Sequence, residues 1–244
     1  MSLWTPLLWL GIIAPLLIIA QITTQKTNPK YLILFVVYFL VDCYARFLGY
    51  EYIKPEYFGL NLNWTGMLLS LLIALIFIAL QAKEIRRDIG FTSRFNKKTF
   101  SFGILIFLGF LAFDFVVKLM IFPSGGTFNL EQLLFQATMP GPSEEIVFRG
   151  ILLWILGKAF VPSKEVKGVL YGWGFIITTF LFGMAHGVVL TENLELKVDV
   201  ETVVYITVIS SLSIGILRKF TGNLIAPVLG HGMIDVMNFL IRLR

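Results

Sequence analysis

Apolar stretches of about 20 residues recur almost end to end through the 244-residue chain, with only short loops between them. Stretches of that length match the hydrocarbon core of a bilayer, which a helix crosses in about 20 residues. The spans are expected near residues 3–22, 31–50, 63–82, 100–122, 143–160, 169–190, 202–217 and 224–241, all as helix. The first lacks the basic leader and small-residue cleavage site of a signal peptide and is read as a retained helix. The expected fold is therefore all-α, a polytopic, integral membrane protein of about eight transmembrane helices. Between the fourth and fifth spans, Asn129 to Ala137 (NLEQLLFQA) has the character of an interfacial piece before Pro140-Gly141-Pro142 breaks the chain.

Composition agrees: 57% of residues are hydrophobic, 14% are charged and the mean hydropathy is +0.83, which leaves no room for a separate soluble domain. The net charge of +5 does not point to nucleic acid, because the basic residues are concentrated in loops beside apolar spans. The single cysteine, Cys43, sits in an apolar stretch and excludes an intrachain disulfide.

Those loop charges orient the chain, since Lys and Arg near a membrane are retained on the cytoplasmic side. Loops one, three, five and seven hold Lys26 and Lys30; Lys83, Arg86, Arg87, Arg94, Lys97 and Lys98; Lys158, Lys164 and Lys167; and Arg218 and Lys219. The other side holds only Lys54, Lys197, Arg242 and Arg244. With eight spans, both termini are expected on the non-cytoplasmic side.

Ionisable residues inside the spans are expensive, and they normally pair or carry function. Asp42 and Arg46 are four apart, as are Asp114 and Lys118, so each couple can neutralise itself on one helical face and is read as structural. A third group does not cancel within one helix. Ser143 is expected to cap a helix carrying Glu144 and Glu145 in its first turn. Glu145 and Arg149 are i and i+4 and form an internal pair, whereas Glu144 is rotated by about 100° and has no partner in its own helix. The only histidines, His186 and His231, lie in two other spans, each beside glycines that let a neighbouring helix approach. His231 and Asp235 are again i and i+4, and Asn238 extends their stripe. A carboxylate with two imidazoles either activates water by general base catalysis or binds a metal, and both routes lead to hydrolysis.

The three clusters, Glu144-Glu145-Ile146-Val147-Phe148-Arg149, Phe182 to His186 and His231 to Asp235, resemble in pattern and order the motifs of a known family. This is the CAAX prenyl endopeptidase and bacteriocin-processing (CPBP, or ABI-type) family of intramembrane proteases. The resemblance covers roughly residues 128–241. It implies N-terminal transmembrane helices over 1–127, a protease core over 128–244, and a polar catalytic cavity inside a single bundle. It further implies that Glu144 activates water together with His186, that His231 and Asp235 stabilise the oxyanion, and that Glu145 and Arg149 support them. The substrate would be a membrane-associated or lipidated protein or peptide; whether it is prenylated, and how many copies of the chain assemble, stay open.

Asp235 complicates this assignment, since an ionised carboxylate only accepts hydrogen bonds; it must be protonated, orient His231 or bind a metal. His186, His231 and Asp235 would be the ligands of a zinc ion if one were bound, but no His-Glu-x-x-His helix is present, and a glutamate-centred mechanism without an obligatory metal is favoured. Two other functions use the same residues: a catalytically silent protein that binds a membrane partner, as an immunity protein does, and a small ion or proton transporter. No internal repeat is visible, which counts against the transporter.

Overall fold

A computed structural model describes residues 2–244. The helices are α1 (Thr5–Thr23), α2 (Pro29–Tyr52), α3 (Trp64–Ala79), the short α4 (Lys83–Ile89), α5 (Phe100–Ile121), α6 (Leu130–Thr138), α7 (Pro140–Glu145), α8 (Leu153–Ala159), α9 (Trp173–Gly187), α10 (Val200–Tyr205), α11 (Leu212–Thr221) and α12 (Ile225–Leu243). A π-helical stretch, Ile146–Leu152, joins α7 to α8, and a second, Ile206–Ser211, joins α10 to α11, so each trio is one continuous rod.

Every expected span has a helix at its centre. Among the described residues, four are long and apolar enough to cross a membrane: Thr5–Thr23, Pro29–Tyr52, Phe100–Ile121 and Val200–Thr221. The others fall short of eight equivalent spans for visible reasons. Helices α3 and α9 have 16 and 15 residues, and the rods at 140–159 and 225–243 carry the ionisable groups.

The segment expected as a span over 169–190 is only partly helical. Two small antiparallel hairpins flank it, β1 (Lys164–Val166) with β2 (Val169–Tyr171), and β3 (Val188–Leu190) with β4 (Leu196–Val198). The first turns through Lys167 and Gly168, both at positive φ (50° and 78°), the geometry of a two-residue hairpin turn. These β-branched and polar residues pair their backbones locally at the ends of the bundle rather than extend α9.

One core draws on both halves of the chain. Trp9 and Ile13 of α1 and Phe35 and Phe39 of α2 are buried in the same cluster as Val147, Ile151, Ile155, Leu181 and Phe182. Outward faces stay apolar, as at Leu68, Leu105, Phe113 and Leu229, which suits a lipid surround.

The basic loops gather at one end of the bundle. Thr27 bridges Phe160, Lys158 pairs with Asp88 at 3.3 Å, Asn96 N–H donates to Thr221 O, and Trp173 Nε1 donates to Thr23 Oγ1. The opposite end is closed by Ser2 on Leu190, Gly125 on Arg244, and a clasp at Glu131. That carboxylate accepts from Asn61 N (2.7 Å), Asn61 Nδ2 (3.0 Å), Leu62 N (3.0 Å) and Trp64 Nε1 (3.2 Å). The Asn61 side chain, followed by the backbone donors, holds Glu131 down at about 2, well below the usual carboxylate range.

Candidate active site

Helix α7 begins earlier than expected. Met139 is the N-cap and Pro140 is the first helical residue, where a missing N–H costs nothing. Ser143 is therefore inside the helix, with its N–H and its Oγ both bonded to Met139 O (3.1 and 2.8 Å). It does not cap, and Glu144 and Glu145 lie beyond the first turn. Helix α12 passes close at Gly141, where a Cβ would sit 2.6 Å from the Val228 carbonyl oxygen. At Gly187 a Cβ would sit 2.6 Å from Asp199 O, so the glycine beside His186 does admit the next helix.

The two glutamates part company at this point. Glu145 is fully buried, and its Oε2 lies 3.3 Å from Arg149 Nε, the expected i, i+4 pair. Its Oε1 accepts from His231 Nδ1 at 2.7 Å. His231 Nε2 in turn lies 3.3 Å from Asp235 Oδ2, and Arg149 Nη2 reaches Ser211 Oγ at 2.9 Å. Both ring nitrogens of His231 thus face carboxylates, and Asp235 has the geometry of a residue that orients the imidazole. Arg149 and Ser211 each belong to a π-helical stretch, so this chain of contacts locks the two irregular segments together.

Glu144 faces the other way. Its Oε2 is 4.0 Å from His186 Nε2, and its Oε1 is 3.7 Å from Arg46 Nη1. His186 Nδ1 donates to Phe182 O at 2.7 Å, because a carbonyl can only accept; in the neutral ring Nε2 is then the lone-pair nitrogen turned to Glu144. The side chains of His186 and Glu144 are 37% and 13% exposed, against 0% for Glu145. Both line a cavity of about 850 Å³, together with Arg46, Phe182, Tyr50 and Glu192.

His231 and Asp235 do not line that cavity. Asp235 borders a separate chamber of about 270 Å³ with Gln132, Gln136, Asn238 and Arg242. The Phe182 ring touches both imidazoles, its centroid 4.6 Å from His186 and 5.9 Å from His231, with the Arg149 guanidinium 4.0 Å over its face. The expected residues thus form two clusters, Glu144 with His186 and Glu145 with Arg149, His231 and Asp235. A zinc ion held by His186, His231 and Asp235 does not fit this arrangement, and among the described residues no three His, Cys, Asp or Glu side chains are grouped to hold a metal ion.

Both self-neutralising pairs form: Arg46 Nε lies 3.0 Å from Asp42 Oδ2, and Lys118 Nζ lies 2.6 Å from Asp114 Oδ2, where Tyr205 OH also donates to Asp114. Arg46, however, does more than neutralise Asp42; its Nη2 donates to Ser143 O at 2.9 Å and its Nη1 faces Glu144. Sequence spacing missed this. A guanidinium has five N–H donors and Asp42 engages only one nitrogen, so the surplus in an apolar setting was the available signal.

No curated protein and no solved structure gives a significant match to the chain. Residues 126–237 match the family model described as type II CAAX prenyl endopeptidase Rce1-like, a span that holds all three motif clusters. Over those residues the chain carries a domain of the Rce1-like type II CAAX prenyl endopeptidase family.

Proposed function

We propose that the protein is an intramembrane endopeptidase in which Glu144 is the general base and His186 holds the attacking water. The observation that carries this is the facing of Glu144 Oε2 and His186 Nε2, 4.0 Å apart, on the wall of the large cavity. Among the described residues, Glu144 Oε2 is a buried oxygen with no hydrogen-bond partner. A water about 2.8 Å from both atoms would see them at an angle of roughly 90°, near its own H–O–H angle, and would donate to each. Its oxygen then attacks the scissile carbonyl carbon as the proton passes to Glu144, and the C–N bond breaks as Glu144 returns that proton to the leaving amine.

The buried cluster has a different part in this reading. Glu145, Arg149, His231 and Asp235 clamp α7 against α12 and the second π-helical stretch, which sets the rotation of the helix that carries Glu144. An oxyanion contact from His231 would require its Nε2 to leave Asp235, and the cavity lining gives that role no support. The chemistry needs no metal. The substrate is a membrane-associated or lipidated peptide, admitted from the end of the bundle that holds Ser2, Tyr50 and Glu192. With eight crossings and the basic loops in the cytoplasm, that end and both termini are non-cytoplasmic.

Comparative peptidomics of cells carrying wild-type or Glu144→Ala protein tests the reading. Product peptides present with wild type and replaced by uncleaved precursor with the variant are expected. Identical peptidomes at equal expression would overturn it.

A further inference from the structure

Helix α2 lies outside the matched family region, yet it sends one side chain into the candidate site. Arg46 connects three elements: Nε pairs with Asp42 on its own helix (3.0 Å), Nη1 lies against Met67 Sδ on α3 (2.9 Å), and Nη2 donates to the Ser143 carbonyl on α7 (2.9 Å). Asp42 is itself fixed, since its Oδ1 accepts from Ser70 Oγ at 2.5 Å. The guanidinium is thus held on a preset fork, with Nη1 3.7 Å from Glu144 Oε1.

We propose that Arg46 is a positioning residue for Glu144. This rests on the assignment of Glu144 as the base. The cation takes one oxygen of the carboxylate and leaves the other to His186, which fixes the rotamer in which Glu144 can receive a proton from water. At 3.7 Å the attraction is Coulombic, because the separation exceeds hydrogen-bond length, so Arg46 orients the carboxylate without taking one of its hydrogen bonds. Its bond to Ser143 O fixes the backbone immediately before Glu144. Arg46 from α2 and His186 from α9 approach Glu144 to 3.7 and 4.0 Å, and Asp42, Tyr50, Glu51 and Glu192 line the same cavity; Glu145 and Arg149 share its rod, α3 presents Met67, and His231 of α12 is turned to Glu145.

The test uses the full chain in liposomes and a fluorescence-quenched farnesylated CAAX peptide as probe. Arg46→Met alone leaves the buried Asp42 charge without its partner, so it is paired with the Asp42→Asn/Arg46→Met double variant, which removes both charges at similar shape. The double variant is expected to melt like wild type and to lose about 10²-fold in kcat, the scale of a misplaced catalytic group, with KM unchanged. Arg46→Lys is expected to recover part of the rate, since it keeps the charge but not the fork. In a Glu144→Gln background, Arg46→Met should lower the residual rate no further. A folded double variant with wild-type kcat, or a loss confined to KM, would overturn the inference. An additive loss in the Glu144→Gln background would do the same. Wild-type turnover by Glu144→Gln itself would instead overturn the assignment of the base.

Discussion

Glu145 and His231, 86 positions apart in sequence, meet at 2.7 Å between α7 and α12, and this contact joins the first motif to the third. It places His231 on the buried glutamate, whereas Glu144 faces the cavity. The tandem glutamates therefore part: one carboxylate joins the helices and its neighbour faces the cavity.

That division predicts opposite phenotypes for the two. Glu145→Ala leaves the buried Arg149 without its paired carboxylate and His231 with Asp235 alone, and breaking such a buried network is expected to destabilise by about 3–5 kcal/mol. Glu144→Ala should cost far less, because its side chain is partly exposed. Thermal unfolding in detergent compares them; equal melting temperatures would contradict the clamp.

The Glu131 clasp predicts a pH effect at the end of the bundle. Its carboxylate is held at about 2 against an ordinary 4.5, so the clasp contributes stability that is full above the ordinary value and is lost as pH falls from there through about 2. The fluorescence difference between wild type and Trp64→Phe is expected to report this loss, and Glu131→Gln should abolish its acid dependence. A transition above the ordinary carboxylate range would contradict the clasp.

Topology is tested by single cysteines in a Cys43→Ala chain. Residues 54 and 192 are expected to react with impermeant reagent from the non-cytoplasmic side, and residues 97 and 164 from the cytoplasmic side. The reverse pattern would invert the orientation and carry the mouth of the cavity with it.

Much of this site is written in local spacing. The Glu145–Arg149, His231–Asp235 and Asp42–Arg46 pairs all follow from i, i+4 geometry, and the glycines beside His186 mark where helices approach. What spacing conceals is which helices meet. The Glu145–His231 and Arg46–Ser143 contacts join residues 86 and 97 positions apart, set by the packing of α12 and α2 on α7. Local rules also misled at Ser143, where the capping preference of serine gave way to prolines that fit the first turn, and at 169–171 and 188–190, where strands of two hairpins take up the ends of a stretch counted as membrane span.

A metal-free mechanism predicts that a strong chelator leaves the rate unchanged, since His231 is engaged on both nitrogens and, among the described residues, no third ligand joins His186. Activity that disappears on removal of one stoichiometric zinc and returns with it would contradict the mechanism.

The most direct test of the whole account is the turnover of purified Glu144→Gln protein, a nearly isosteric change that removes the base and keeps the fold. A loss of about 10²–10⁴-fold in kcat with an unchanged melting temperature is expected. Turnover at the wild-type rate would contradict it.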